Sequence, residues 1–97
     1  MSISGRDFFI VSYDITDDKR RLKVANVLED YGDRVQFSVF EVFVSEKSKN
    51  RMLERIKRIV DKDNDSVRIY FLCRACLSKL EILGIGMRPD DPEVIIV

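Results

Sequence analysis

Ninety-seven residues suffice for one domain with a modest core, burying about 60–65% of its unfolded surface, so a lone monomer would be marginal and dimerisation would help it. Seventeen basic and seventeen acidic residues cancel, which removes net charge as an argument for generic nucleic-acid binding, and 45% hydrophobic content excludes a disordered chain. The absence of histidine excludes Ser-His-Asp, Cys-His and histidine-pair chemistry, and leaves a metal-activated water as the natural route to phosphodiester cleavage.

No run reaches the ~18 apolar residues of a membrane span, and no signal-type segment opens the chain, so it is expected to be soluble and cytoplasmic with no membrane partner. Charge is unevenly spread. Residues 19–23 hold four cations, residues 47–62 hold seven against two acids, and Asp90, Asp91 and Glu93 make the tail acidic.

In chain order, Phe8 to Asp14 reads as a buried strand, too short and too rich in β-branched and aromatic residues for an independent helix. The strand runs straight into a carboxylate, with Lys19-Arg20-Arg21-Leu22-Lys23 within two helical turns. A carboxylate there can hold a hard cation, and the cations a phosphodiester against it. Thr16 or Asp17 can cap the next helix, whose stripe is Leu22, Val24, Ala25, Val27, Leu28 and Tyr31, with Gly32 ending it.

Between Val35 and Val44 the apolar residues change phase. Val35, Phe37 and Val39 are odd, whereas Phe40, Val42 and Val44 are even, so the chain must bulge or reverse between Ser38 and Glu41. Two short strands are the expectation, with Ser38 a cleft group and Phe40 a packing residue. Ser45 offers a cap for a second helix carrying Met52, Leu53, Ile56, Ile59 and Val60, with Lys47, Lys49, Arg51, Arg55, Lys57 and Arg58 facing water. Val67 to Cys73 alternates as a further strand. Leu77 to Leu83 is expected to add a short strand, and the β-formers of Glu93 to Val97 a terminal one on a sheet edge, the chain's own or a partner's.

This order predicts an α+β, ferredoxin-like βαββαβ domain over residues 1–97, with its core at about 7–83, an antiparallel sheet and both helices on one face. Cys73 and Cys76 form a lone CxxC. With no second pair in the chain, two buried, reduced thiols are the expectation rather than a zinc or redox site.

Tyr13-Asp14-Ile15 after an apolar strand, the helix start with Arg21 and Lys23, the run Arg34 to Glu41, and Asp65 to Tyr70 together resemble the CRISPR-associated Cas2 family, in order and across nearly the whole chain. The resemblance implies a homodimer in which Asp14 faces its mate with a divalent metal, Mg²⁺ or Mn²⁺, between or near the pair. It implies partnership with the CRISPR integrase in spacer acquisition. Either an endonuclease on single-stranded RNA or double-stranded DNA, or a non-catalytic adaptor bridging integrase dimers and DNA, is consistent with it. By the same likeness Arg21, Lys23 and Arg34 hold phosphates, Lys23 standing where the family commonly has arginine. Asp14 is the catalytic and metal-binding candidate. Tyr13 has two readings, a hydroxyl in the cleft or a ring in the core or interface. A toxin-like ribonuclease of similar fold is a weaker option, disfavoured by the Arg34 to Glu41 match.

Overall fold

A computed structural model describes residues 5–84. Its elements run β1 (Asp7–Asp14), α1 (Asp18–Glu29), β2 (Gly32–Gln36), β3 (Val39–Val44), α2 (Glu46–Lys57), β4 (Ser66–Leu72) and a single turn α3 (Arg74–Leu77). The strands form one antiparallel sheet in the order β2-β3-β1-β4, the ferredoxin-like arrangement that the order of elements predicts. No helix among the described residues is long and apolar enough to cross a membrane.

Strand alternation divides β1 between two environments. Phe9, Val11 and Tyr13 point under α1 and α2 and join Phe40 and Val42 of β3 in the core, which Val24, Ala25, Val27 and Leu28 of α1 and Met52 and Ile56 of α2 close. Val67 and Ile69 of β4 pack against the same cluster. Ile10, Ser12 and Asp14 occupy the opposite face, across from Glu41 and Val39 on one side and Tyr70, Arg68 and Ser66 on the other.

Both helices begin where the sequence says. The Asp17 carboxylate accepts the Arg20 N–H at 2.9 Å, and the Ser45 hydroxyl accepts the Ser48 N–H at 3.1 Å, each satisfying a donor the helix start leaves open. Other expectations are corrected. Leu22 is not in the stripe but 63% exposed, because the buried positions of α1 are 24, 25, 27 and 28. Gly32 is not a helix terminator: Asp30 caps α1 and Gly32 opens β2. A Cβ there would stand 2.2 Å from the Glu41 carbonyl oxygen and 2.8 Å from the Val42 side chain, so glycine is required by close approach.

The reversal lies earlier than the phase change suggests. Gln36 pairs with Val39, leaving Phe37 and Ser38 as the two-residue turn, and the register slips by one between Arg34 and Gln36. Leu77 to Leu83 is not a strand. The Leu77 and Ser78 N–H groups instead bond back to the Cys73 and Arg74 carbonyls at 2.8 and 2.9 Å, closing the α3 turn and seating Leu77 in a cleft with Phe8, Phe43 and Leu72. Nor are both thiols buried: Cys76 is exposed and Cys73 partly so. The expected terminal strand, Glu93 to Val97, lies outside the described residues.

One polar clasp ties the ends of the sheet together. Asp65, whose side chain is wholly inaccessible to solvent, accepts Arg20 Nε at 2.8 Å, the Asp61 N–H at 2.9 Å and the Thr16 N–H at 3.1 Å. The Arg20 guanidinium, foremost, holds this carboxyl far below its usual 3.8. A depressed carboxylate contributes stability that is full above its unfolded value, near pH 4, and is lost as the pH falls through the lower folded value. Urea midpoints measured from pH 7 down to pH 2.5 should fall steeply in acid for the wild type. In Asp65→Asn they should start lower at pH 7 and fall less; parallel curves would refute the clasp. Gly32→Ala should cost about 1–3 kcal/mol from overpacking, read as a melting temperature lower by roughly 4 °C or more.

Candidate functional site

Asp14 ends β1 exposed to solvent on the sheet face opposite α1 and α2, paired in register with Ser66. The tyrosine before it points the other way. Tyr13 is 4% exposed, its ring 6.3 Å from that of Phe40, and its hydroxyl donates to the Phe37 carbonyl at 3.4 Å. Burial, foremost, raises its pKa above the usual 10.0, which makes it a poorer proton donor. In this fold the Tyr13 ring packs in the core, on the face opposite Asp14, because adjacent residues of a strand serve opposite faces.

Tyr13 instead anchors the turn that follows β2. Its N–H donates to the Ser38 carbonyl at 3.1 Å, and Arg34 Nη1 donates to the Phe37 carbonyl at 3.1 Å. Ser38 is thus held by its backbone, and Phe40 is fully buried beneath the Arg34 guanidinium, 5.3 Å from its ring centroid. Phe37 itself stands 78% exposed at the tip.

The cations near β1 fall into two groups. Arg21 donates from Nε and Nη2 to the Ile15 carbonyl, at 3.2 and 2.9 Å, and pairs with Asp18 at 2.5 Å. Together with Arg34, Tyr13, Phe37 and Leu22 it lines an open pocket of about 260 Å³ on the helix side of the sheet. Lys23 projects from α1 into solvent. On the Asp14 face Arg68 is the cation beside it in the register, cross-strand from Ser12 and a diagonal neighbour of Asp14, whereas Arg6 and Arg74 lie at the far end with Phe8 and Phe43. Alternation along β4 marks Arg68 as solvent-facing in the sequence, but only the pairing of β4 with β1 puts it beside the carboxylate.

Glu41 is a second acid on that face, opposite Ile10, with its pKa raised by burial first and by Asp33 second. It stands four residues along β1 from Asp14, or about 13 Å. No group of three metal-ligating side chains exists among the described residues. Asp14 is a hard oxygen donor of the type Mg²⁺ takes, and that ion is commonly held by one or two carboxylates with waters completing its shell. One chain thus offers a fitting but partial ligand set.

The basic face of α2 is partly engaged. Arg55 binds Asp30 at 3.0 Å, Lys57 binds Glu54 at 3.4 Å, and Lys49 sits 5.6 Å from the Phe9 ring centroid. Lys47, Arg51 and Arg58 project into solvent.

Tyr13→Phe removes only a long hydrogen bond to a backbone carbonyl and should cost less than ~1 kcal/mol, whereas Tyr13→Ala should cost about 3–5 kcal/mol by opening the core. Chemical denaturation of both variants checks this, and a large loss in Tyr13→Phe would restore a special role for the hydroxyl.

The chain matches the family described as CRISPR associated protein Cas2 over residues 7–80. It is 41% identical over 90 residues to a CRISPR-associated endonuclease Cas2 of Thermus thermophilus, covering 93% of this chain and 96% of that one. To a CRISPR-associated endoribonuclease Cas2 of Chloroflexus aurantiacus it is 40% identical over 91 residues, covering 93% and 98%. The fold overlays the crystal structure of Streptococcus pyogenes Cas2 with a TM-score of 0.69 at 35% identity, over 79% of this chain and 99% of that one. A chain of a partial Cas6-RT-Cas1–Cas2 complex aligns with a TM-score of 0.65 at 28% identity, over 93% and 99%. With a family model matched over most of its length and relatives about 40% identical across nearly the whole chain, the chain belongs to the CRISPR-associated Cas2 family.

Proposed function

We propose that this protein acts in CRISPR spacer acquisition as a homodimer whose two Asp14 carboxylates form a Mg²⁺-dependent (or Mn²⁺-dependent) endonuclease site for RNA or double-stranded DNA. The observation that carries this reading is the isolation of Asp14: exposed at the end of a central strand, on the sheet face away from α1 and α2 and at the opposite end of β1 from the α3 turn. That face also carries Ile10, Val39 and the half-exposed Tyr70, apolar groups suited to meeting a second copy about a twofold axis. Two such carboxylates would hold an ion that one alone holds weakly. A divalent ion bound there would lower the pKa of a water and neutralise charge on a phosphate. Asp14 would hold the ion, and Arg68 beside it would offer a guanidinium to a neighbouring phosphate. Arg21, Lys23 and Arg34 lie toward the helix side and would bind the backbone of the nucleic acid away from the cut.

The second reading is a non-catalytic adaptor joining integrase subunits and DNA. It is favoured by the likeness to a chain of a Cas1–Cas2 complex and by the exposed Lys47 and Arg51 on α2 and Arg58 at its C-cap, since backbone binding needs spread cations rather than base-reading side chains.

Asp14→Asn should lower Mg²⁺-dependent cleavage of RNA or duplex DNA about a hundredfold or more. Spacer insertion with the integrase, assayed in parallel, separates the readings: insertion intact with cleavage lost assigns the biological role to the adaptor. Cleavage that survives the substitution would sink the metal site. Sedimentation of the wild type should give twice the 11.3 kDa chain mass, and a monomer would remove the paired carboxylates.

A further inference from the structure

Phosphodiester chemistry leaves one pair of reactive groups unused. Cys73 follows β4 and precedes α3, Cys76 lies within α3, and both are free thiols. The Leu77 N–H donates to the Cys73 carbonyl at 2.8 Å and closes the turn between them. Residues three apart in such a turn have Cα atoms about 5 Å apart, inside the ~4.4–6.8 Å that a disulfide requires. The Cys76 N–H and thiol bond to the Cys73 sulfur and lower its pKa from the usual 9.0, while the Cys76 thiol is raised. With Cys76 exposed and Cys73 partly so, a small molecule can reach the pair from solvent.

Position gives the pair a mechanical consequence. The same turn carries Leu77, 1% exposed, into its cleft with Phe8, Phe43 and Leu72 on the sheet face away from α1 and α2. We propose that Cys73 and Cys76 form a reversible dithiol–disulfide site that exchanges with low-molecular-weight disulfides such as oxidised glutathione, and that the bond clamps the corner where the chain leaves the sheet. The Cys73 thiolate attacks one sulfur of the external disulfide, breaking its S–S bond, and the departing thiolate takes up a proton equivalent to the one Cys73 lost. Cys76, deprotonated in turn, attacks the Cys73 sulfur of the mixed disulfide and expels the second external thiol. One disulfide is reduced to two thiols, and the protein loses two electrons and two protons.

The test equilibrates the full chain in mixtures of reduced and oxidised glutathione, blocks residual thiols with an alkylating agent and reads intact mass. Wild type should lose two hydrogens and both alkylation sites without a change of oligomeric mass. Cys76→Ser should stop at one glutathione adduct on Cys73, and Cys73→Ser should form its adduct about tenfold more slowly at pH 7. Trypsin cleavage after Lys79 should slow about threefold or more in the oxidised wild type, and proceed in Cys76→Ser as fast as in the reduced protein. Failure to lose two hydrogens at any ratio, bonding only between chains, or protection of both thiols by added Zn²⁺ in place of an internal bond would overturn the site. Equal trypsin rates in the two redox states would overturn the clamp.

Discussion

β1 is the hinge of this architecture: hydrogen-bonded on both edges, by β3 and by β4, it has no freedom to rotate its side chains from one face to the other. Its strict alternation therefore assigns every residue once and for all. Tyr13 must enter the core because Phe9 and Val11 do, and Asp14 must leave it because Ile10 and Ser12 lie opposite. The identity of the exposed face follows from the packing of the hidden one. A one-residue slip would bury the carboxylate and expose the tyrosine, so the apolar packing of the core also aims the catalytic candidate.

The arginines show how far basic residues near the proposed nucleic-acid surface are occupied with holding the chain in shape. Arg20 is spent on Asp65, Arg21 fastens the β1–α1 connection through the Ile15 carbonyl, and Arg34 shares the Phe37 carbonyl with Tyr13. Each guanidinium has five N–H groups, so Arg21 and Arg34 keep donors for a ligand while their planes are fixed by the protein. Preorganisation of this kind costs nothing at the moment of binding.

Much of this was readable from residue order alone, and the exceptions share a cause. The caps Asp17 and Ser45, the split of residues 35–44 into two strands and the core residues of α2 follow from local chemistry and periodicity. What local pattern does not contain is partnership between distant segments. Gly32 looks like a helix stop until Glu41 is found 2.2 Å from its missing Cβ, and Asp65 looks like turn punctuation until Arg20 and Thr16 arrive beside it. Leu77 to Leu83 reads as a strand because apolar content alone does not register that the Leu77 amide closes a helical turn. At the site, Asp14 was legible because it interrupts an apolar run. The division between Asp14 and Arg68 on one face and Tyr13, Arg21 and Arg34 on the other was not, since it needs the pairing of β1 with β4.

The Asp65 clasp has a bearing on the order in which the chain assembles. Its bonds to Thr16 close a loop of 49 residues, whereas β2 and β3 meet across a two-residue turn. Closure entropy and contact order make the hairpin early and the docking of β4 late. Until β4 docks, β1 has one free edge beside an apolar face, the arrangement most prone to pairing with another molecule. Asp65, already prearranged by its bond to the Asp61 amide, meets Arg20 and Thr16 as β4 arrives and gives that last step a polar latch. The same few bonds that brace the strand end bearing Asp14 thus also hold the last-paired edge of the sheet closed against the wrong neighbour.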